Sequence, residues 1–268
     1  MADIRVAVAG AKGRMGQEVV KMVLNDPELT LVAAIDSKLD GTPVSEVLGL
    51  ETSVRFTRSL SQALADTKPH VLVDFTVPGV VRHHAETAIA AGVRPVIGTT
   101  GLTENDLQQL DEQCRQQGIG CIVAPNFAVG AVLMMHFAAM AAKYFPHVEI
   151  LEYHHDQKLD APSGTAWKTA ELIASQRKEM KQGHPDEEER LEGVRGGYVH
   201  GFRIHSIRLP GLVAHQEVLF GGPGQTLSIR HDSLNRESFM PGVNLAIKKV
   251  MEFQGLVYGL EHLLDLHQ

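Results

Sequence analysis

Ile4-Arg5-Val6-Ala7-Val8-Ala9-Gly10-Ala11-Lys12-Gly13-Arg14-Met15-Gly16 decides the reading of the first half of the chain. Ile4 to Ala9 is short, apolar and rich in β-branched residues, which fits a buried parallel strand. It runs directly into a glycine-rich turn. A helical pattern follows, with Met15, Val19, Met22 and Val23 on one side, and stops near Asn25-Asp26-Pro27. A second strand, Leu29 to Ile35, ends at Asp36, about twenty residues past Gly16. Strand, glycine turn, helix, strand and acid follow the order of a dinucleotide-binding unit. In that unit Gly10 makes the turn, Gly13 lets a pyrophosphate approach the backbone, and Gly16 lets the helix pack on the strand. Asp36 accepts from a ribose hydroxyl. Gly10, Ala11, Lys12, Gly13, Arg14, Met15, Asp36 and Lys38 are therefore candidate cofactor contacts. The spacing G-x-x-G-x-x-G is one residue longer than the common form. Asp36 repels a 2′-phosphate, whereas Lys38 and Arg14 accommodate one. The sequence predicts use of both NADH and NADPH, leaning to NADH.

The alternation of strand and helix continues outward. Val71 to Phe75 is a strand ending in Asp74-Phe75-Thr76, and Pro78-Gly79 opens a helix through Ala91. Arg94 to Ile97 is a strand ending in Gly98-Thr99-Thr100-Gly101. Thr103 with Asp106 resembles a capping box at the head of a polar helix to Gln117. Gly120 to Val123 is a further strand, ending in Ala124-Pro125-Asn126-Phe127. Ligands of such sheets bind beyond the C-terminal strand ends. Gly98, Thr99, Thr100 and Ala124, Pro125, Asn126, Phe127 are expected to face the cofactor, while 75–76 reads better as a simple connection.

The second half has a different pattern. Val129 to Tyr144 is nearly all apolar and reads as a buried helix linking two domains. Val148 to Tyr153 reads as a strand and Thr165 to Lys181 as a helix, with Pro162 in its first turn. Gln182 to Gly201 reads as a mobile loop or lid whose acidic run, Asp186 to Glu189, is a solvated face. Phe202–Leu209, Leu212–Phe220 and Thr226–His231 read as strands of a largely antiparallel sheet. A final helix, Phe239 to Phe253, is expected to return to the first domain. The expected architecture is α/β: an N-terminal Rossmann-like, doubly wound parallel sheet over 1–127, completed by 239–268. A second α+β domain on a largely antiparallel sheet spans 128–238.

Between strand and helix of the second domain lies Glu152-Tyr153-His154-His155-Asp156-Gln157-Lys158-Leu159-Asp160-Ala161-Pro162-Ser163-Gly164-Thr165-Ala166. His154, His155 and Lys158 emerge at the strand end, where catalytic groups often sit. Ser163, Gly164 and Thr165 open the helix, whose free N–H groups and positive dipole end attract a carboxylate or phosphate. An ordinary Ser/Thr cap would explain the second half of the stretch alone. Two imidazoles, an ammonium and an anion-ready helix start in one loop point instead to proton transfer on an anionic substrate.

With 268 residues, 44% apolar and 21% charged, the composition is that of a globular protein with a proper core. A net charge of −7 argues against a general nucleic-acid binder. No run reads as a membrane span and no signal peptide is visible, so the expected location is cytoplasmic. The two cysteines, Cys114 and Cys121, lie outside any CxxC pair and read as structural thiols. The fourteen histidines show neither HExxH nor finger spacing, so no metal site is expected, and His83-His84 reads as a helix surface.

The chain resembles the dihydrodipicolinate reductase (4-hydroxy-tetrahydrodipicolinate reductase) family of bacterial lysine biosynthesis, essentially end to end. The resemblance rests on GxxGRMG at 10–16, DFT at 74–76, GTTG at 98–101, PNF at 125–127 and E-x-HH-x-x-K-x-DAPSGTA at 152–166. It implies hydride transfer from a nicotinamide to C4 of a cyclic imine dicarboxylate, giving tetrahydrodipicolinate. It further implies that His154 and Lys158 handle protons, that His155, Ser163, Gly164 and Thr165 hold substrate carboxylates, and that the enzyme is a homotetramer. Two other classes fit parts of the pattern. A semialdehyde or amino-acid dehydrogenase of similar layout would, in the former case, need an activated cysteine. An NADH-sensing regulator would need no proton-donor loop.

Overall fold

The computed structural model describes residues 3–178, 180–264 and 266. The chain divides into two compact units, Met1–Phe127 with Phe239–Gln268, and Ala128–Ser238.

The first unit alternates strand and helix: β1 (Ile4–Ala9), α1 (Arg14–Asn25), β2 (Leu29–Ile35), α2 (Val44–Leu48), β3 (Phe56–Thr57), α3 (Leu60–Thr67), β4 (Val71–Asp74), α4 (Pro78–Ala90), β5 (Arg94–Ile97), α5 (Glu104–Gln117) and β6 (Gly120–Val123). The second holds α6 (Val129–Ala142), β7 (His147–His154), α7 (Gly164–Gln176), β8 (Gly197–Val199), β9 (Phe202–Arg208), β10 (Ala214–Gly222) and β11 (Gln225–Ser233). A 3-10 turn at Arg236–Phe239 leads to α8 (Met240–Lys249) and β12 (Gly255–Tyr258), which belong to the first unit.

The sheet of the first unit has the order β12-β6-β5-β4-β1-β2-β3. Its strand pairs are all parallel. Apart from β12 this is the 3-2-1-4-5-6 order of a doubly wound fold, which reverses between β1 and β4. Val6 to Ala9 and Val71 to Val73 are fully buried, as strands covered on both faces must be. Thr103 and Asp106 form the expected capping box at α5. Two short elements between β2 and α3, α3 itself, and β12 are additions to the sequence reading. None is longer than α3's eight residues, too short for periodicity to stand out.

The sheet of the second unit runs β11-β10-β7-β9-β8. It is antiparallel except that β7 and β9 pair in parallel. Val148, Ile150, Phe202, Ile204, Val218 and Phe220 pack against Ala138, Ala142, Ala166, Ala170 and Ile173 of α6 and α7. The alanines let the helices lie close to the sheet, and the six larger side chains fill the space between.

Several expectations need correction. Helix α6 is the first element of the second unit, and only one side of it is buried within that unit. Phe137 and Met140 are about half exposed. Helix α7 ends at Gln176, because Arg177 is extended and its guanidinium reaches Pro146 O and Met180 O and stacks on Phe202. Pro162 precedes the N-cap Ser163 and so lies outside the helix. The 182–201 segment is tied to the sheet. Gln182 bonds both backbone groups of Val148 at 3.0 and 2.7 Å, Arg195 pairs with Glu149 at 2.6 Å, and Gly197–Val199 forms β8.

Candidate functional site

The first unit carries a cleft of about 540 Å³ beyond the strand ends. Gly10, Lys12 and Gly13 form one wall, Asp36 and Lys38 another, and Phe75, Thr76 and His84 a third. Gly10 has φ +73°, and a Cβ there would fall 2.5 Å from Phe75 O, so glycine is required on both counts. At Gly16 a Cβ would lie 2.0 Å from Gly10 O, which keeps α1 tight against the turn. The N-cap of α1 is Gly13, which gives no side-chain hydrogen bond to the first turn. That end of the helix therefore suits a pyrophosphate, and the residues present fit a dinucleotide. Ala11 is fully buried, Arg14 is exposed and Met15 is partly buried. The Asp36 carboxylate accepts from the backbone N–H groups of Lys12 and Lys38 at 3.2 and 3.0 Å, which fixes it at the cleft. A carboxylate offers about four lone-pair sites, so room remains for a ribose hydroxyl.

The strand-end segments play unequal parts. Phe75 and Thr76, read from sequence as a connection, line the cleft. Thr99 is buried, and its hydroxyl donates to Asp74 Oδ1 at 2.8 Å. Gly98 has no room for a side chain, since a Cβ would fall 2.1 Å from the Phe75 ring. Phe127 is buried with its ring 5.8 Å from that of Phe75. Ala124 is also buried, while Thr100 and Pro125 are exposed and Asn126 is partly buried.

His84 is a correction to the surface reading. Its Nδ1 lies 2.7 Å from Oδ2 of the buried Asp74, and its ring lines the cleft. Asp74 Oδ1 also accepts from Thr76 N at 2.9 Å and Thr76 Oγ1 at 2.6 Å. Arg58 lines the cleft as well. Neither His84 nor Arg58 carries a local signal, because each reaches the cleft through the order of the sheet.

In the second unit the stretch 152–166 forms the end of β7, a loop and the start of α7. Residues two apart on a strand share a face, so Glu152 and His154 lie side by side. Glu152 is fully buried, and its carboxylate bonds His154 Nδ1. It accepts from Arg208 at 2.9 and 2.7 Å and from Ser163 N at 3.2 Å. Burial alone would raise this carboxyl, but the His154 and Arg208 hydrogen bonds outweigh it and bring it down to about 2. Sequence reading missed Arg208, which the parallel register of β7 and β9 sets opposite His154.

Beyond His154, the Lys158 ammonium bonds Asp160 at 2.6 Å and lowers that carboxyl. His155 is exposed, with its carbonyl accepting from Lys158 N at 3.2 Å. Ser163 caps α7 by accepting from Ala166 N at 3.2 Å. Gly164 is exposed with open space around it, and Thr165 follows in the first turn. One segment thus joins groups able to exchange protons to a helix N-terminus able to hold an anion.

Cys114 and Cys121 are both buried, free thiols. Among the described residues no group of three or more His, Cys, Asp or Glu is arranged to hold a metal. No helix among them is long and apolar enough to cross a membrane.

Residues 4–127 match the family model for the N-terminus of dihydrodipicolinate reductase, and residues 130–264 match that for its C-terminus. The 4-hydroxy-tetrahydrodipicolinate reductase of Halalkalibacterium halodurans is 57% identical over 263 residues, spanning 98% of this chain and 100% of that one. The enzyme of the same name from Bacillus pumilus is 55% identical over 262 residues, 98% of each chain. Among solved structures, the dipicolinate-bound dihydrodipicolinate reductase from Paenisporosarcina sp. TG-14 superposes with a TM-score of 0.89 at 54% identity. That match covers 98% of this chain and 100% of that one.

Proposed function

This chain belongs to the dihydrodipicolinate reductase family, and we propose that it reduces 4-hydroxy-tetrahydrodipicolinate to tetrahydrodipicolinate with NADH or NADPH. The reaction is a step of the diaminopimelate route of lysine biosynthesis. The observation that carries this reading is the 152–166 segment, where His154, Lys158 and the N-terminus of α7 fall within one stretch of chain.

A reduced nicotinamide supplies a hydride to C4 of the unsaturated ring left when the 4-hydroxyl departs as water. Gly10, Ala11, Lys12, Gly13, Arg14 and Met15 hold the pyrophosphate end of the dinucleotide, and Asp36 with Lys38 receives the ribose. Gly98, Thr99, Thr100, Ala124, Pro125, Asn126 and Phe127 shape the nicotinamide end. His155, Ser163, Gly164 and Thr165 hold the substrate carboxylates. Hydride addition leaves an enamine that needs a proton, and the His154 imidazole is suited to supply it. Lys158 stabilises charge beside the ring or shares the proton transfer.

Both reduced cofactors serve, with NADH preferred because of Asp36. A preference for NADPH beyond about a hundredfold in kcat/KM, roughly 2.7 kcal/mol, overturns that order. The enzyme acts in the cytoplasm as a homotetramer assembled through the five-stranded sheet, and a monomeric mass in solution contradicts the assembly. The deciding experiment mixes the protein with NADH and freshly made dihydrodipicolinate synthase product while following NADH absorbance. Oxidation that requires both is expected; none with either cofactor removes the reading.

A further inference from the structure

The proton donor of the second unit is anchored by a buried ion pair that the reaction chemistry leaves unassigned. Glu152 Oε1 accepts from Arg208 Nη2 at 2.7 Å and from Ser163 N at 3.2 Å. Its Oε2 accepts from Arg208 Nη1 at 2.9 Å and meets His154 Nδ1. Arg208 Nη2 also donates to Asp160 O at 2.8 Å, two residues beyond Lys158. Glu152 is wholly buried, and Arg208 is the last residue of β9, set opposite His154 by the parallel register. The pair therefore touches the imidazole, the N-cap of α7 and the loop that carries Lys158.

An ionised carboxylate can only accept hydrogen bonds, so the Nδ1 facing it must carry a proton. The neutral ring then has its lone pair on Nε2, and the imidazolium has one uncommitted N–H, also on Nε2. The planar guanidinium fork holds both oxygens of the carboxylate at once, which a lysine could not do. We propose that Glu152 and Arg208 are positioning residues for the reduction. They hold the Nδ1 proton of His154 in place, so that Nε2 takes up the second proton of the imidazolium and delivers it to the substrate, and they lock the ring in register with the N-terminus of α7. The inference rests on His154 being the proton donor.

The test is Glu152→Gln, read in two ways. In the protein without ligands, the imidazole nitrogen shifts of isotope-labelled His154 report the tautomer. The wild type is expected to show Nδ1–H and the variant Nε2–H, because the new amide presents a donor to Nδ1. In turnover, kcat is expected to fall by about 10²-fold, the lower end of what a positioned acid contributes, with KM for NADH unchanged. An unchanged kcat or an unchanged tautomer overturns the inference. Should Glu152→Gln fail to fold, Arg208→Lys keeps the charge but loses the fork. It is expected to lower kcat by about tenfold at constant NADH KM. Wild-type kcat in that variant is the contrary result. A wild-type protein that shows the Nδ1–H tautomer but reduces no substrate would count against the proposed function and not against the clamp.

Discussion

Each unit places a buried carboxylate at the end of a strand, and the two are satisfied in opposite ways. Asp74 in the first unit collects the Thr76 amide and hydroxyl, the Thr99 hydroxyl and His84. Most of its donors are neutral, and they tie together the ends of β4 and β5 and the second turn of α4. Glu152 in the second unit collects a guanidinium fork, the Ser163 amide and His154. Neutral donors suffice to shape a cradle for a ligand that brings its own chemistry. A group that must present one chosen nitrogen needs a carboxylate held ionised, and that takes a full positive charge beside it.

The comparison can be broken at the reactive end first. His154→Ala or Lys158→Ala should lower kcat by about 10²–10⁴ while leaving NADH affinity alone. Steady-state kinetics at saturating cofactor checks this, and near wild-type turnover in both variants would remove the assignment. Next comes the cost of isolating each carboxylate. Arg208→Met leaves Glu152 buried without its counter-charge and should destabilise the fold by about 3–5 kcal/mol. Acid supplies a third test. Glu152 titrates at about 2 in the fold against an ordinary value of 4.5. Its folded value is depressed, so its contribution is complete above about 4.5 and fades as the pH falls through 2. The loss across that window should be on the order of 3 kcal/mol in urea titrations, and Glu152→Gln should lack that part.

Two smaller effects sharpen the contrast. Asp74→Asn keeps the shape and replaces one acceptor by a donor, so about 1–3 kcal/mol is expected. If urea unfolding puts it level with Arg208→Met, the distinction between the two carboxylates collapses. Smallest is cofactor choice. Asp36→Ala should move the NADH-to-NADPH ratio of kcat/KM towards NADPH by about tenfold, or 1.4 kcal/mol. No movement would mean that the carboxylate does not meet the ribose.

The first βαβ unit is readable because β1 is a short, largely apolar run, glycines mark the turn after it, and the twelve residues of α1 are enough to show a helical period. It also marked the 152–166 stretch, where the chemistry is contiguous. What stayed hidden depends on contacts across the sheet. Arg208 lies fifty-six positions from Glu152, and nothing local in Phe202–Arg208 says that β9 pairs in parallel with β7. His84 looks like half of a surface His-His pair until Asp74 comes beside it. The end of α7 is hidden too, because Lys178 and Lys181 continue a helix-friendly composition, whereas Arg177 turns away to bind Pro146 and Phe202.

The strand β12 pairs with β6 across more than a hundred intervening residues, so the unit begun first is closed last. During synthesis the five-stranded sheet and its helices can form while the edge of β6 still waits for its neighbour. Segments Phe239–Lys249 and Gly255–Tyr258 therefore act as a late clasp. Lys248 binds Asp26 and Glu28, and Asn244 binds Asp26. A nascent chain stalled before this clasp would hold a complete five-stranded sheet and an unfinished seven-stranded one.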